Sequence, residues 1–286
     1  MRSTNIGGAR ASSLVLRTSD FEIPRDQSLV SIPIGQLYAF LFLFTRASGI
    51  FIFTPFLGNF LVPVSVRILL SLSIGYLLSL ASALPQMPAE MSLASLTLGL
   101  AGELAVGMVI GFAAHCVFAG LQYAGQLLGF QIGLSFVNTV DPQTSNRSTT
   151  LSIYMNFLGM MLFLGFNGHH WFIEAIGKSL TALPPFSIRF TGSFIAHMTV
   201  LVGKIFVIGF QIAAPLLAIL LLTDVVLGII GRSAPQVHIM IIGLPLKVLV
   251  GMTGMGLMLY FLPTAMRGYS GQIFREMLVF LQLMRA

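Results

Sequence analysis

Cysteine is all but missing from this chain. Cys116 stands alone, so an intrachain disulfide is excluded and the redox compartment is left open. Charge is nearly as scarce: Asp, Glu, Lys and Arg make up 8% of the 286 residues, against roughly 25% in soluble domains. The net charge of +6 is scattered, with no run of Lys or Arg, and nucleic-acid binding finds no support. Catalytic signatures are absent too. There is no phosphate loop, GxSxG, HExxH, CxxC or paired-carboxylate motif, so neither an enzyme nor a cofactor is expected. His115 and Cys116 are adjacent, so on a helix they point about 100° apart and do not converge on one substrate. His169 and His170 form a pair, but a zinc site needs three or four ligands and nothing supplies the rest; loop or interfacial histidines are the plainer reading.

What the chain does have is apolar bulk. Hydrophobic residues make up 56%, with 24 Phe and 15 Met, and the expected class is an all-α, polytopic membrane protein. Residues 1–27 carry Arg2, Arg10, Arg17 and Arg25 with Asp20, Glu22 and Asp26 and have no apolar core. They read as a disordered tail, with no cleavable signal peptide evident. Apolar runs follow at roughly 29–45, 47–62, 68–84, 92–137, 149–167, 193–222 and 235–262. The run 92–137 would make a helix of roughly 69 Å, more than twice the bilayer core, so it must bend or leave the membrane; Gly120 is a plausible hinge. The run 47–62 holds Pro55 and Gly58 and stops at Pro63, as a partial crossing would. Pro215 and Pro245 interrupt the last two runs. Long, kinked and broken helical hairpins packed against partners are therefore expected. Arg267, Arg275 and Arg285 make the C-terminal end the most basic, which favours a cytoplasmic C-terminus.

Charges inside apolar runs are costly, roughly 2.5–3.5 kcal/mol each at a bilayer centre, so they pair or face water. Glu103, Lys204 and Lys247 lie well inside their runs, and a pair of Glu103 with Lys204 or Lys247 is possible, as a structural staple more readily than a proton relay. Glu174 and Lys178, four apart with the acid first, read as a surface pair.

The most informative stretch begins with Gly125, Gly129 and Gly133, spaced to share one helix face. Small-xxx-small faces let helix backbones approach closely in a membrane. The chain then turns polar at Asn138, Asp141, Pro142, Gln143, Ser145, Asn146 and Arg147, with Asp-Pro as a turn signal. On the residues alone an ordinary interhelical loop is the plainer reading. A second stretch, GRSAPQVHIMIIGLPLKVLVG at 231–251, makes a polar corner of Arg232, Pro235 and Gln236 and kinks at Pro245 beside Lys247.

Taken together, FTPFLGNFLVPVSVRILLSLSI at 53–74, GFQIGLSFVNTVDPQ at 129–143, FLGFNGHHWFI at 163–173 and GRSAPQVHIMIIGLPLKV at 231–248 resemble the FliR family of flagellar biosynthesis proteins. That family is related to the export-gate subunits of virulence type III secretion systems. The resemblance covers roughly residues 35–265; His238 departs from the asparagine usual after the Pro-Gln corner. The tail, residues 1–28, lies outside the resemblance; a helical export-gate domain at 29–265 and a C-terminal helical segment at 266–286 are expected after it. The resemblance further implies a subunit of the inner-membrane gate of the flagellar basal body, assembled with FliP-like and FliQ-like subunits and other export-apparatus membrane proteins. Unfolded flagellar proteins would pass through it. The family's channel-plugging loop matches Gln131 to Asn146, with Gln131, Ile132, Leu134, Phe136, Val137, Asn138, Asp141, Pro142 and Gln143 as its residues. Two alternatives stand beside this: the equivalent gate subunit of a virulence system, and an ion-coupled carrier using Glu103, Lys204 and Asp224. A carrier should show two related halves, and none is visible.

Overall fold

Local stereochemistry decides where the helices begin and end. Pro55 disfavours helical geometry at Thr54, and α1 (Ile34–Phe53) stops there, with the Thr54 hydroxyl donating to the Ile50 carbonyl at 2.7 Å. The Pro63 carbonyl accepts from the Val66 N–H at 3.0 Å as α2 (Val64–Ala81) starts. Ser92 caps α3 (Leu93–Ile132), and its hydroxyl accepts from the Ser95 N–H at 3.2 Å. Thr149 caps α4 (Thr150–Gly165) in the same way, accepting from the Ser152 N–H at 3.1 Å. α5 (Gly168–Ala182) follows after Asn167, which sits at φ 56°. Asparagine tolerates that left-handed conformation, and the chain bends by 70° between α4 and α5. Thr191 caps α6 (Gly192–Ser233), and α7 (Ile239–Leu283) completes the order. The computed structural model describes residues 34–54, 62–81, 91–134, 149–189, 191–234 and 239–285. No strand occurs among them beyond one isolated bridge, Ile188 to Arg285. The expected tail, residues 1–28, lies outside the described residues.

α3 is the axis of the fold, packing along successive stretches against α1, α4, α6 and α7. Glycines set its closest approaches. Gly107 meets Gly49 of α1 backbone to backbone, and a Cβ on Gly49 would lie 2.5 Å from the Leu104 carbonyl oxygen. Gly120 meets α6, where a Cβ on Gly209 would lie 2.7 Å from the Gly120 carbonyl oxygen. Close backbone approach replaces the hydrophobic drive that lipid cannot supply. Ile110, Ala113, Leu121, Ala124 and Leu128 fill the core between these crossings. Phe118, Phe163 and Trp171 stack edge to face at ring separations of 5.4 and 5.9 Å, joining α3 to α4 and α5.

α6 and α7 form an antiparallel hairpin, since paired residues rise in number along one helix as they fall along the other. Asp224 meets Lys247, Leu216 fills the space above Gly254, Tyr269 donates to Gln211 at 3.0 Å, and Glu276 accepts from both Lys204 and His197.

Several expectations change here. Gly120 is not a hinge: α3 runs unbroken for 40 residues, and the missing side chain serves contact with α6 instead of a bend. Pro215 and Pro245 do not end their helices, which run 42 and 45 residues; a helix survives a proline where neighbours hold it. The break falls at Phe166–Asn167. The runs 29–45 and 47–62 are joined, because Arg46 lies inside α1 rather than between two segments. Helices α1, α3, α6 and α7 are long and apolar enough to cross a membrane, and the bent α4–α5 pair makes a fifth candidate. At about 1.5 Å per residue, α3, α6 and α7 reach roughly 60–68 Å, about twice the hydrocarbon core.

Candidate functional site

The C-terminal end of α3 and the start of α4 are held together side by side. A Cβ on Gly125 would lie 2.7 Å from both the Leu151 carbonyl oxygen and the Ser152 Cα, and one on Gly129 would lie 3.0 Å from the Thr149 hydroxyl. These two glycines thus close a contact within the chain, between the helices that flank the polar loop, and not a face left open for a partner. Gly133 does something else. It sits at φ 93° as the C-cap of α3, its N–H bonding the Phe130 carbonyl at 3.1 Å, a geometry that favours glycine. The chain therefore leaves α3 at Gly133, one turn past the contact of Gly129 with Thr149, and re-enters helix at Thr149.

The last turn of α3 is also tied to the hairpin. Gln131 Nε2 donates to Asp224 Oδ2 at 2.8 Å, and the other Asp224 oxygen pairs with Lys247. Ile132 is fully buried, its side chain filling the space above Gly251. Leu134 is exposed. Phe136, Val137, Asn138, Asp141, Pro142 and Gln143 lie outside the described residues, as do Pro235 and Gln236 of the polar corner. Arg232 ends α6 exposed to solvent, and Pro245 lies on the exposed side of α7.

Glu103 pairs with Arg46, and with neither Lys204 nor Lys247. Both side chains are buried, with relative exposures of 0% and 2%. The guanidinium also donates to Ser179 Oγ at 3.0 Å and to the Leu183 carbonyl at 2.9 Å, so one arginine links α1, α3 and α5. Glu103 Oε1 has no hydrogen-bond partner among the described residues. Lys204 reaches Glu276 instead, together with His197. The three residues of the carrier alternative, Glu103, Lys204 and Asp224, are thus divided among three separate ion pairs. Sequence reasoning missed Arg46 and Glu276. An arginine interrupting an apolar run reads as a boundary unless an acid elsewhere is assigned to it, and Glu276 lies in a polar stretch where an acid draws no notice.

Glu174 and Lys178 form the expected exposed pair at 2.8 Å. His115 is exposed while Cys116 is buried, so the two side chains face different surroundings. His169 and His170 are both exposed at the start of α5. Among the described residues no three His, Cys, Asp or Glu side chains are placed to hold a metal ion.

Comparison with known proteins accords with this architecture. The profile of the family described as "Bacterial export proteins, family 1" matches residues 37–273. The flagellar biosynthetic protein FliR of Bacillus subtilis (strain 168) is 32% identical over 219 residues, 74% of this chain and 82% of that protein. FliR of Escherichia coli (strain K12) is 32% identical over 203 residues, 70% of this chain and 76% of its own length. FliR of Caulobacter vibrioides is 27% identical over 224 residues, covering 78% and 89%. With a family profile along most of its length and relatives of this identity and coverage, the chain belongs to the bacterial export proteins of family 1, as a membrane-helical component of the flagellar export apparatus.

Proposed function

We propose that this chain is a structural, non-enzymatic subunit of the flagellar protein-export gate in the bacterial inner membrane. It assembles with FliP-like and FliQ-like subunits, and the loop expected from Gln131 to Asn146, less Gln131 and Ile132 that belong to α3, closes the channel through which unfolded flagellar proteins pass. The observation that carries this reading is the pinning of both ends of the loop. The Gly125 and Gly129 contacts hold the end of α3 against the start of α4, and the left-handed Gly133 cap and the Thr149 cap define where the chain leaves and re-enters helix. A segment whose roots are fixed in this way starts and ends at defined places, as a gate element needs. The hairpin supports assembly with other subunits. α6 and α7 are about twice as long as the hydrocarbon core is thick, and they expose Phe206, Phe210, Leu222, Ile241, Tyr260 and Phe261. Apolar surface beyond the bilayer needs protein to cover it.

The test is recovery of the tagged chain from native membranes under mild detergent, with its companions identified by mass spectrometry. FliP-like and FliQ-like proteins are expected in the purified complex. An intact chain recovered from membranes with neither of them would contradict the proposal.

A further inference from the structure

At the roots of the polar loop, α3 and α4 are joined by glycine packing, and the last turn of α3 also meets a charged group of the hairpin. Asp224 stands between two elements. One carboxylate oxygen pairs with Lys247 of α7, and the other accepts from Gln131 Nε2 at 2.8 Å. Gln131 lies in the last turn of α3, two residues before the left-handed Gly133 where the chain leaves the helix. Apolar contacts converge on the same spot. Ile132 fills the space above Gly251, and a Cβ on Gly133 would lie 2.7 Å from Leu244 Cδ1. Among the described residues the other ion pairs lie elsewhere: Arg46 and Glu103 join α1, α3 and α5, Glu174 and Lys178 pair on the surface of α5, and Glu276 holds Lys204 and His197 toward the far end of the hairpin.

We propose that Gln131, Asp224 and Lys247 are positioning residues of the gate, a latch that ties the α3 root of the loop to the α6–α7 hairpin in the closed state. The inference rests on the proposed function of that loop. Asp224 cannot be replaced by a neutral apolar group without stranding Lys247, and Lys247 occupies one oxygen so that the other faces Gln131. Any movement of the root away from the hairpin must break the Gln131 hydrogen bond. Hydrogen bonds to charged groups are among the stronger ones in proteins, so its loss shifts a closed-to-open balance by about tenfold or more. Rejoining it returns the α3 root to one position, because the apolar contacts of Ile132 and Gly133 resume together with it.

The test is potassium leakage from cells expressing the chain with its FliP-like and FliQ-like partners, with complex recovery measured in parallel. Gln131→Glu sets two carboxylates against each other. It should raise leakage about tenfold, the factor a lost charge-assisted hydrogen bond carries, with the complex still recovered. The double variant Gln131→Glu with Asp224→Asn exchanges acceptor and donor, since the new amide donates to the new carboxylate. It should return leakage to within about twofold of the intact chain. A loss of packing alone would not be repaired by that exchange. If Gln131→Glu prevents assembly, Gln131→Leu removes the hydrogen bond without repulsion and should leak in its place. A third arm replaces residues 135–145 with a short Gly–Ser linker. If that arm leaks while assembled Gln131 variants stay tight, or if the double variant leaks as much as the single, the latch is overturned and the gate reading stands. If the linker arm itself stays tight in an assembled complex, the gate reading fails and the latch with it.

Discussion

Replacing Glu103 with glutamine keeps the side chain's shape and removes its charge. Arg46 then stays fully buried with no counter-ion. Its remaining acceptors, Ser179 Oγ at 3.0 Å and the Leu183 carbonyl at 2.9 Å, are neutral and cannot balance the guanidinium. Removing one partner of a buried ion pair costs about 3–5 kcal/mol. For a chain of this size each kcal/mol moves the melting temperature by about 2–4 °C, so a drop of about 10 °C is expected. The double variant Arg46→Met with Glu103→Leu removes both charges and fills similar volume. Ser179 keeps a partner in the Ile176 carbonyl at 2.7 Å, leaving the Leu183 carbonyl as the main group without a donor, at about 1–3 kcal/mol. The double variant should therefore melt above either single variant. Thermal unfolding of the detergent-solubilised chain, followed by the fraction that stays monodisperse, reads this directly. Additive losses, with the double variant falling by the sum of the singles, would refute the coupling. So would a Glu103→Gln protein that melts like the parent.

Other expectations follow from the glycine contacts and the tail. Gly125→Ala drives a methyl into the α4 backbone and should cost about 1–3 kcal/mol, whereas Gly129→Ala meets only the Thr149 side chain and gains about 1 kcal/mol of helix propensity, leaving it near neutral; melting of the solubilised chain separates the two. Gly177→Ala, with nothing within 4 Å of its Cβ position, should stabilise α5 by up to about 1 kcal/mol in the same assay. Deleting residues 1–27, which carry no apolar face, should leave swimming motility near normal; a non-motile strain with normal protein levels would count against that.

Composition and run lengths made the all-helical membrane class legible, and the start of α4 was visible because Thr149 stands where an apolar run resumes. Gly125 and Gly129 were readable as a packing face, yet their spacing could not tell that the opposing helix is the chain's own α4. Gly133 shares that spacing and does a different task, because the helix ends there. Gly120 misled as a hinge, whereas Pro215 and Pro245 lie inside helices that continue past them. A glycine or proline in an apolar run permits a bend, but whether the helix breaks depends on what packs against it, and that is a tertiary fact. Arg46 was hidden by the same logic: a single charge lowers local hydropathy whether it marks a helix end or lies buried against an acid 57 positions away. The link from Gln131 to Asp224 spans 93 positions, with nothing in either neighbourhood to announce it.

The central claim is that the loop between α3 and α4 closes a channel, and one measurement addresses it most directly. Ile132 is fully buried and belongs to the fold, so the replacement starts at residue 135 and runs to 145, with a short Gly–Ser linker between the two fixed roots. Cells expressing this chain with its FliP-like and FliQ-like partners are compared with cells expressing the intact chain, by ion and small-solute leakage, with complex recovery measured alongside. Raised leakage from a complex recovered in normal yield is the predicted result. Unchanged permeability in a correctly assembled complex would contradict the account and return the segment to an ordinary interhelical loop.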